Sequence, residues 1–300
     1  MEAHIPELSV IIVTYNHSAE IQPCLTAVVQ NTKLRPLQII VVDNASDDDT
    51  VDIVRQITRD YVEEEVTVVL SKNSRNLGYT KAVNQGLQKA TGKFLLLLNP
   101  DVVVFPNTID KLISFLQNHP DCSVAAPQLL FPNFQIQPSC RRFPRRRDVL
   151  YEILGLNRIF PRSSQFNSWK MADFDHCHTR KVDQPQGACL LTTRAAFAQV
   201  GYLDERFRMF FSDVDWCKRF IEAGGKVVFY PEAKAIHRKG TSVYRYRRRM
   251  VWISHWDFIR YFWKHYPKVR SFLPNILVSG LLLKTGIIRW IFARASRKTQ

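Results

Sequence analysis

No two of the six cysteines (Cys24, Cys122, Cys140, Cys177, Cys189 and Cys217) are spaced as a CxxC pair. Thioredoxin-like redox chemistry and zinc ribbons need such pairs, and small disulfide-stapled domains need a denser framework. His176 and His178 flank Cys177, but no second Cys/His pair stands at zinc spacing, so they are expected to lie on a surface loop. No repeat of solenoid length and no low-complexity tract is found. The first residues, MEAHIPELSV, lack the basic segment and apolar run of an export signal. Together these absences lead to the expectation of a reduced, cytosolic chain. Acids are scarce in one stretch. Residues 233–300 hold sixteen of the 42 Lys and Arg but one of the 27 Asp and Glu, Asp257. That stretch accounts for the net charge of +15, and the preceding 232 residues are neutral.

Apolar residues make up 46% of the 300 and aromatics 12%, enough for a large core, which excludes global disorder. The first half alternates between strand and helix patterns. Apolar, largely β-branched runs predict buried strands at 8–15, 37–43 and 66–70, a leucine-rich run predicts a fourth at 93–99, and 123–127 a fifth. Helices are expected at 19–30 (capped by Ser18), after Ser46 or Asp47, near 80–90, and after Asn107. Residues 131–183 read as a long irregular loop rich in Pro, Phe and Arg, suited to a lid or acceptor-side flap. Strands return at 187–193 and 226–230, with a helix from Asp213 to Glu222 between them. Alternation with short links predicts an α/β fold with a doubly wound, mostly parallel sheet.

Ligands in such sheets bind beyond the carboxyl ends of the strands. Polar residues gather there: Thr14, Tyr15 and Asn16 after the first strand, Asp43 and Asn44 after the second, Asn73 and Asn76 after the third, Asn99 and Asp101 after the fourth. Four strands ending this way suggest a polar ligand along one edge.

Five segments resemble the inverting glycosyltransferases of family 2, most of all their bacterial rhamnosyltransferase-like branch. They are SVIIVTYN (9–16), VVDNASDDDT (41–50), NLGYTKAVNQGLQKATGKFLLLLNPD (76–101), GACLLTTRAAFAQVGYLDERFRMFFSDVDWCKR (187–219) and YPEAKAIHRKGTS (230–242). The resemblance covers roughly residues 8–265. It implies the GT-A fold, a Rossmann-like architecture that binds nucleotide-sugars, with a catalytic domain at 1–243 (donor half 1–130, acceptor half 131–243) and a helical tail at 244–300.

What the resemblance implies for single residues can be set against their chemistry. Asp101 resembles the last aspartate of the family's DXD motif, where hard oxygen ligands hold the Mg²⁺ or Mn²⁺ that neutralises a diphosphate. Here the motif reads NPD, so Asn99 brings no charge and metal dependence is weakened; Asn-Pro-Asp is also an ordinary turn. Asp43 and Asn44 resemble the base- and ribose-holding pair, although DNAS also suits a turn and helix cap. Asn76, Gly78, Lys81 and Asn84 lie where the resemblance puts donor contacts. Asp213 resembles the catalytic base that takes the acceptor hydroxyl's proton. Ser212 stands where Glu is common, and an acid at this position also suits a helix N-terminus. His237 resembles a metal or diphosphate ligand. Gly187 and Ala188 resemble the small-residue turn that admits the acceptor, with Trp216 shaping that side.

The tail (245–270) mixes Arg and Lys with Trp, Tyr and Phe, and an apolar segment (272–292) follows. On a helix, Ser271, Asn275, Ser279, Thr285 and Arg289 fall opposite Ile276, Leu283, Ile287 and Ile291, with Val278 and Leu282 out of place on the polar side. The expected reading is an interfacial helix with a basic-aromatic belt on anionic lipid; a true span and packing against the catalytic domain are the alternatives. The expected activity is transfer of a sugar, rhamnose the first to test, from a nucleoside diphosphate donor to a glycan or polyprenyl-linked acceptor. It would take place at the inner face of the cell membrane. A non-catalytic nucleotide-sugar-binding protein of the same fold is the alternative. Nucleic-acid binding is not expected, because the motif-bearing front is neutral.

Overall fold

The computed structural model describes residues 5–61, 65–238 and 246–295. The end of the last motif (239–242), the expected domain boundary at 243/244, and the termini at 1–4 and 296–300 lie outside the described residues. The elements run β1 (Leu8–Thr14), α1 (Ser18–Asn31), β2 (Leu37–Asp43), α2 (Thr50–Asp60), β3 (Val66–Lys72), α3 (Tyr79–Lys89), β4 (Phe94–Leu98), β5 (Val102–Val104) and α4 (Thr108–Asn118). Then follow β6 (Cys122–Leu130), β7 (Cys140–Arg141), α5 (Arg146–Ile153), α6 (Leu156–Ile159), β8 (Arg180–Lys181), β9 (Gln184–Pro185), β10 (Cys189–Thr193), α7 (Arg194–Val200), α8 (Ser212–Glu222) and β11 (Lys226–His237). Two tail helices close the chain, a basic-aromatic helix (Arg247–His265) and a terminal helix (Phe272–Ala295).

The main sheet has the order β3-β2-β1-β4-β10-β6-β11-β5. Strands β3, β2, β1 and β4 are parallel; β1, β2 and β4 are buried along their whole length, as their continuous apolar runs require, and β3 is the partly exposed edge. β10 is antiparallel to both its neighbours, and β5 is antiparallel to β11. Successive side chains alternate faces. Leu8, Val10 and Ile12 pack with Leu25 and Val28 of α1, whereas Ile11 and Val13 pack with Val83 of α3 and Trp216 and Phe220 of α8.

The expected strands are present, with shifted ends. The largest shift is in β11, which continues beyond Tyr230 to His237 after a break in register between Tyr230 and Lys234. The expected caps are not made. Ser18 is already helical, and its N–H donates to the Asp48 carboxylate. Asp48 also accepts from Thr50 N–H at the start of α2, while Ser46 is bound to Asp43. Asn107 adopts a left-handed conformation with no capping bond from its side chain.

A third apolar cluster joins the tail to the body. Tyr261 and Phe262 of the basic-aromatic helix and Val278 and Leu282 of the terminal helix bury against Val149, Phe207 and Val214. Burial of one such side chain contributes about 1.5–3 kcal/mol. Val278 and Leu282, out of place in an isolated amphipathic helix, thus lie on the face that packs inward. The opposite face exposes Phe272, Leu273, Ile276, Leu277, Ile287, Ile288, Ile291 and Phe292.

Candidate active site

The ends of β1 and β2 are tied together by their own polar residues. Asp43 is fully buried, and its carboxylate accepts from Thr14 Oγ1 and from the N–H and Oγ of Ser46. Asn16, at φ 58°, donates its N–H to Ser46 Oγ and accepts from Asp47 N–H. Asn44 donates to Asn76 Oδ1 and to the Gly78 carbonyl, and accepts from Leu77 N–H and Asn73 Nδ2. Asp43 and Asn44 therefore hold the loop that a ligand would meet, and Asp43 is turned onto that loop. Gly78 sits at φ 93°, and a Cβ there would lie 3.2 Å from the Arg208 carbonyl, so the turn into α3 requires glycine. A crevice of about 100 Å³ opens at these strand ends, lined by Thr14, Tyr15, Asn44, Asn76 and Gly78 and closed by Arg208, Met209, Tyr246, Arg249 and Met250. Tyr246 reaches Asn16 Nδ2 with its hydroxyl at 3.2 Å and lies against the Tyr15 ring at 5.5 Å.

The continuation of β11 brings His237 to Asp101. His237 pairs with Val102 of β5, the residue after Asp101, and Arg238 N–H donates to the Asp101 carbonyl. His237 Nε2 lies 3.5 Å from Asp101 Oδ1, both residues nearly buried. On the far side of the ring, Nδ1 meets Gln137 Oε1 at 2.7 Å, while Gln137 Nε2 donates to the His237 carbonyl. With Gln137 oxygen as acceptor, Nδ1 carries the proton and Nε2 presents its lone pair toward the carboxylate. An imidazole nitrogen and a carboxylate oxygen so placed fit a divalent cation. No group of three or more His, Cys, Asp or Glu that could hold a metal occurs among the described residues. Oxygens of the bound substrate would have to complete the shell, as is usual for Mg²⁺ at diphosphates.

Asp213 opens α8 beside the β9–β10 turn. Its Oδ2 accepts from Gly187 N–H at 2.9 Å and from Gln184 Nε2 at 3.1 Å, and its Oδ1 from Val214 N–H. Burial raises its pKa above the ordinary carboxylate value, and the hydrogen bonds from Val214 and Gly187 oppose the rise. Asn99 N–H donates to the Ala188 carbonyl, which joins this turn to the Asp101 strand end. Between the two sites stands Tyr79, whose hydroxyl lies 3.4 Å from Asn99 Oδ1. Burial raises its pKa, and the Asp213 and Asp101 carboxylates raise it further. A Cβ on Gly187 would lie 2.7 Å from Asp213 Oδ2. Gly187→Ala should therefore displace the carboxylate and cost about tenfold in turnover, below the ~10²-fold that a 1 Å misplacement can cost. Steady-state rates alongside nucleotide binding, which should not change, check this.

Other expected site residues take different positions. Asn84 is buried and brackets Leu203, donating to its carbonyl and accepting from its N–H, with Glu205 as a further acceptor. It braces α3 against the loop before α8, with its amide committed to that backbone. Lys81 lies 3.8 Å from Glu205 and lines a separate basic cavity of about 690 Å³, which shares only Asn76 and Arg208 with the crevice. Trp216 is fully buried and donates Nε1–H to the Gly201 carbonyl, so it lies within the core. Asp215, two residues past Asp213, faces the tail: burial alone would raise its pKa, but His265 and Lys264 outweigh this and hold it low. His176 is not on the surface as expected; its Nε2 accepts from Cys140 N–H in the interior.

The sequence reading missed Asp257. This lone tail acid is fully buried and accepts from three successive backbone N–H groups, of Arg208, Met209 and Phe210, and from Arg260. Those residues lead into Ser212 and Asp213, and the Arg208 carbonyl accepts from Thr80 N–H of α3. A single acid among sixteen cations was the available signal.

The family model described as glycosyl transferase family 2 matches residues 9–180. The N-acetylglucosaminyl-diphospho-decaprenol L-rhamnosyltransferase of Mycobacterium tuberculosis is 29% identical over 250 residues, 79% of this chain and 78% of its own. The low-salt glycan biosynthesis hexosyltransferase Agl10 of Haloferax volcanii is 26% identical over 215 residues, 65% of this chain and 64% of its own. Among solved structures, the mannosyltransferase PcManGT of Pyrobaculum calidifontis, in complex with GDP-Man and Mn²⁺, aligns with a TM-score of 0.59 at 18% identity, covering 98% of this chain and 74% of that one.

Proposed function

Because the chain belongs to glycosyl transferase family 2, we propose that it transfers a sugar, with inversion, from a nucleoside diphosphate donor to a lipid-linked glycan acceptor. The observation that carries this reading is the assembly at adjoining strand ends of a partly buried carboxylate, Asp213, and a paired cation-binding set, Asp101 and His237. Similarity to the mycobacterial rhamnosyltransferase supports a rhamnose donor and a polyprenyl diphosphate-linked acceptor.

The crevice at the ends of β1–β3, together with the larger basic cavity that shares Asn76 and Arg208 with it, receives the nucleotide, with Tyr15 offering an aromatic face and Arg208 and Arg249 offering positive charge to the phosphates. Asp101 and His237 would hold a Mg²⁺ or Mn²⁺ ion, which would supply neutralisation of the leaving diphosphate. Asp213 takes the proton of the acceptor hydroxyl as that oxygen attacks the anomeric carbon from the face opposite the diphosphate. Gly187, with no side chain, leaves the approach to that carboxylate open. The non-catalytic alternative, motivated by Asn99 and Ser212, is not favoured. Asn99 still joins the site through Tyr79, and Ser212 is buried with its Oγ toward the Met209 carbonyl, a packing position that carries no chemistry.

The tail supports a membrane-surface location. The stretch Val269–Ala293 is long and apolar enough to cross a bilayer. One of its faces packs on the body while the other exposes a row of Ile, Leu and Phe, the arrangement of a helix lying in an interface.

Thermal shift with a panel of nucleoside diphosphates and nucleotide-sugars, with and without Mn²⁺, tests the donor site. One nucleotide should stabilise the chain selectively, and Asp101→Ala should abolish the Mn²⁺-dependent part. Stabilisation by no member of the panel would count against transfer. A metal effect that survives in the variant would remove Asp101 from the cation site.

A further inference from the structure

Two adjoining cavities, of about 500 and 480 Å³, lie between the tail helices and the α5–α6 segment. They share Arg158, Ser254, Ile288 and Arg289, so they form one groove. At one end Met250 lines both this groove and the nucleotide crevice, and Phe210 and Phe211, which line the groove, directly precede Ser212 and Asp213. Ile288 and Phe292, which line the same cavity, belong to the outward apolar face of the terminal helix, 43% and 67% exposed. The groove therefore adjoins the strand-end crevice and opens on the exposed apolar face of the terminal helix.

Its lining combines two chemistries. Val149, Ile153, Met250, Val251 and Phe258 make apolar walls. Arg158 of α6, Arg247 of the basic-aromatic helix and Arg289 of the terminal helix bring three guanidinium groups from three separate helices. Among the described residues neither Arg158 nor Arg289 has an ion-pair partner, although both border the same cavities. The acid of the lining, Glu152, is already engaged by Asn157 and Lys170. The net result is a positive, apolar channel with no acid left to balance Arg158 and Arg289. The His255 imidazole, also in the lining, has its pKa lowered, first by burial and in part by Arg289, so it adds no charge near neutral pH.

We propose that this groove binds the acceptor's prenyl diphosphate moiety: Arg158, Arg247 and Arg289 hold the diphosphate, and the prenyl chain runs along the apolar walls into the membrane. Guanidinium groups suit this anion because their planar donor forks pair bidentately with phosphate oxygens. A bulk anionic lipid would need these exposed arginines alone, not the apolar walls beside them. A diphosphate seated there presents the sugar it carries toward Met250 and the Phe210–Phe211 turn, and so toward Asp213. This assignment rests on the reading of the chain as a transferase with a lipid-linked acceptor, and it adds the place where the lipid is held.

Binding of geranylgeranyl diphosphate to the full chain in detergent, followed by tryptophan fluorescence, tests it, with inorganic diphosphate, geranylgeraniol and phosphatidylglycerol vesicles as comparison probes. The double variant Arg158→Gln with Arg289→Gln should bind geranylgeranyl diphosphate about tenfold or more weakly, as expected for loss of charge-assisted hydrogen bonds. It should still bind the donor nucleotide as the parent does. The parent should bind geranylgeranyl diphosphate more tightly than either inorganic diphosphate or geranylgeraniol. Equal affinity of variant and parent for geranylgeranyl diphosphate overturns the groove, as does a double variant that loses only vesicle binding. Failure of the parent to bind any nucleotide would instead overturn the transferase reading, so the two failures are distinguishable.

Discussion

Asp213→Asn is expected to lower kcat by about 10²- to 10⁴-fold, the usual contribution of a positioned general base, while nucleotide-sugar affinity stays within a few-fold of the parent. Asn keeps the shape and can still accept from Gly187 N–H with its amide oxygen, but it cannot take a proton. The parent's rate should rise with pH through a pKa above the ordinary carboxylate value, because burial raises that of Asp213. The same shift has a stability consequence of definite sign. A carboxyl whose pKa is higher in the folded than in the unfolded chain favours folding while it is protonated. That contribution is present below the unfolded pKa, about 4, and is lost as pH rises through the folded value. The Asn variant cannot ionise there, which removes that loss, but its amide leaves Val214 N–H without its acceptor, so at neutral pH it should melt close to the parent's temperature. An inactive variant of undiminished stability marks a group kept for chemistry. Turnover within tenfold of the parent, or a parent pH profile with an ordinary carboxylate midpoint, would remove Asp213 from the role of base.

The donor half was legible because its signals are local. Continuous apolar runs such as SVIIV and LQIIVV can only be strands covered on both faces, and the polar residues that follow them fall at one sheet edge by topology. What was not legible depends on partners far along the chain. Pro231 reads as the end of a strand, yet it lies within the register break of β11, where proline is tolerated, and the strand then continues to bring His237 beside Asp101. Asn84 has the composition of a ligand contact. Nothing local reveals that its donor and acceptor are matched to the backbone of Leu203, 119 residues away. Val278 and Leu282 spoil the amphipathic pattern of an isolated helix and make sense only once Tyr261 and Phe262 are beside them. Short-range periodicity describes elements; it does not describe which face of an element another segment will cover.

Asp257 is the most consequential of those hidden partners, and Asp257→Ala should reduce kcat by about 10²-fold, the scale set by misplacement of reacting groups by about 1 Å. Its carboxylate gathers the N–H groups of Arg208, Met209 and Phe210, and through them fixes the turn that both closes the strand-end crevice and leads into the first residues of α8. Alanine leaves those donors without the acceptor; each buried donor so stripped costs about 1–3 kcal/mol, and the turn relieves this by moving toward water. Because Arg208 also receives Thr80 N–H through its carbonyl, α3 follows, and the donor KM should rise by a smaller factor than kcat falls. Asp257→Asn keeps one oxygen for the three N–H groups and gives up the charge that meets Arg260, so it should recover much of the lost rate. A purely structural role predicts something else: loss of activity in step with loss of the folded fraction, and loss of vesicle binding as the tail detaches. The decisive measurement is kcat well below the melting temperature, in an Ala variant that still binds anionic vesicles. If that kcat stays within a few-fold of the parent, the tail is an anchor only. If it falls as expected, the helix that carries the basic-aromatic residues also sets the geometry of the active site, and the state of the tail is felt by the base through one carboxylate.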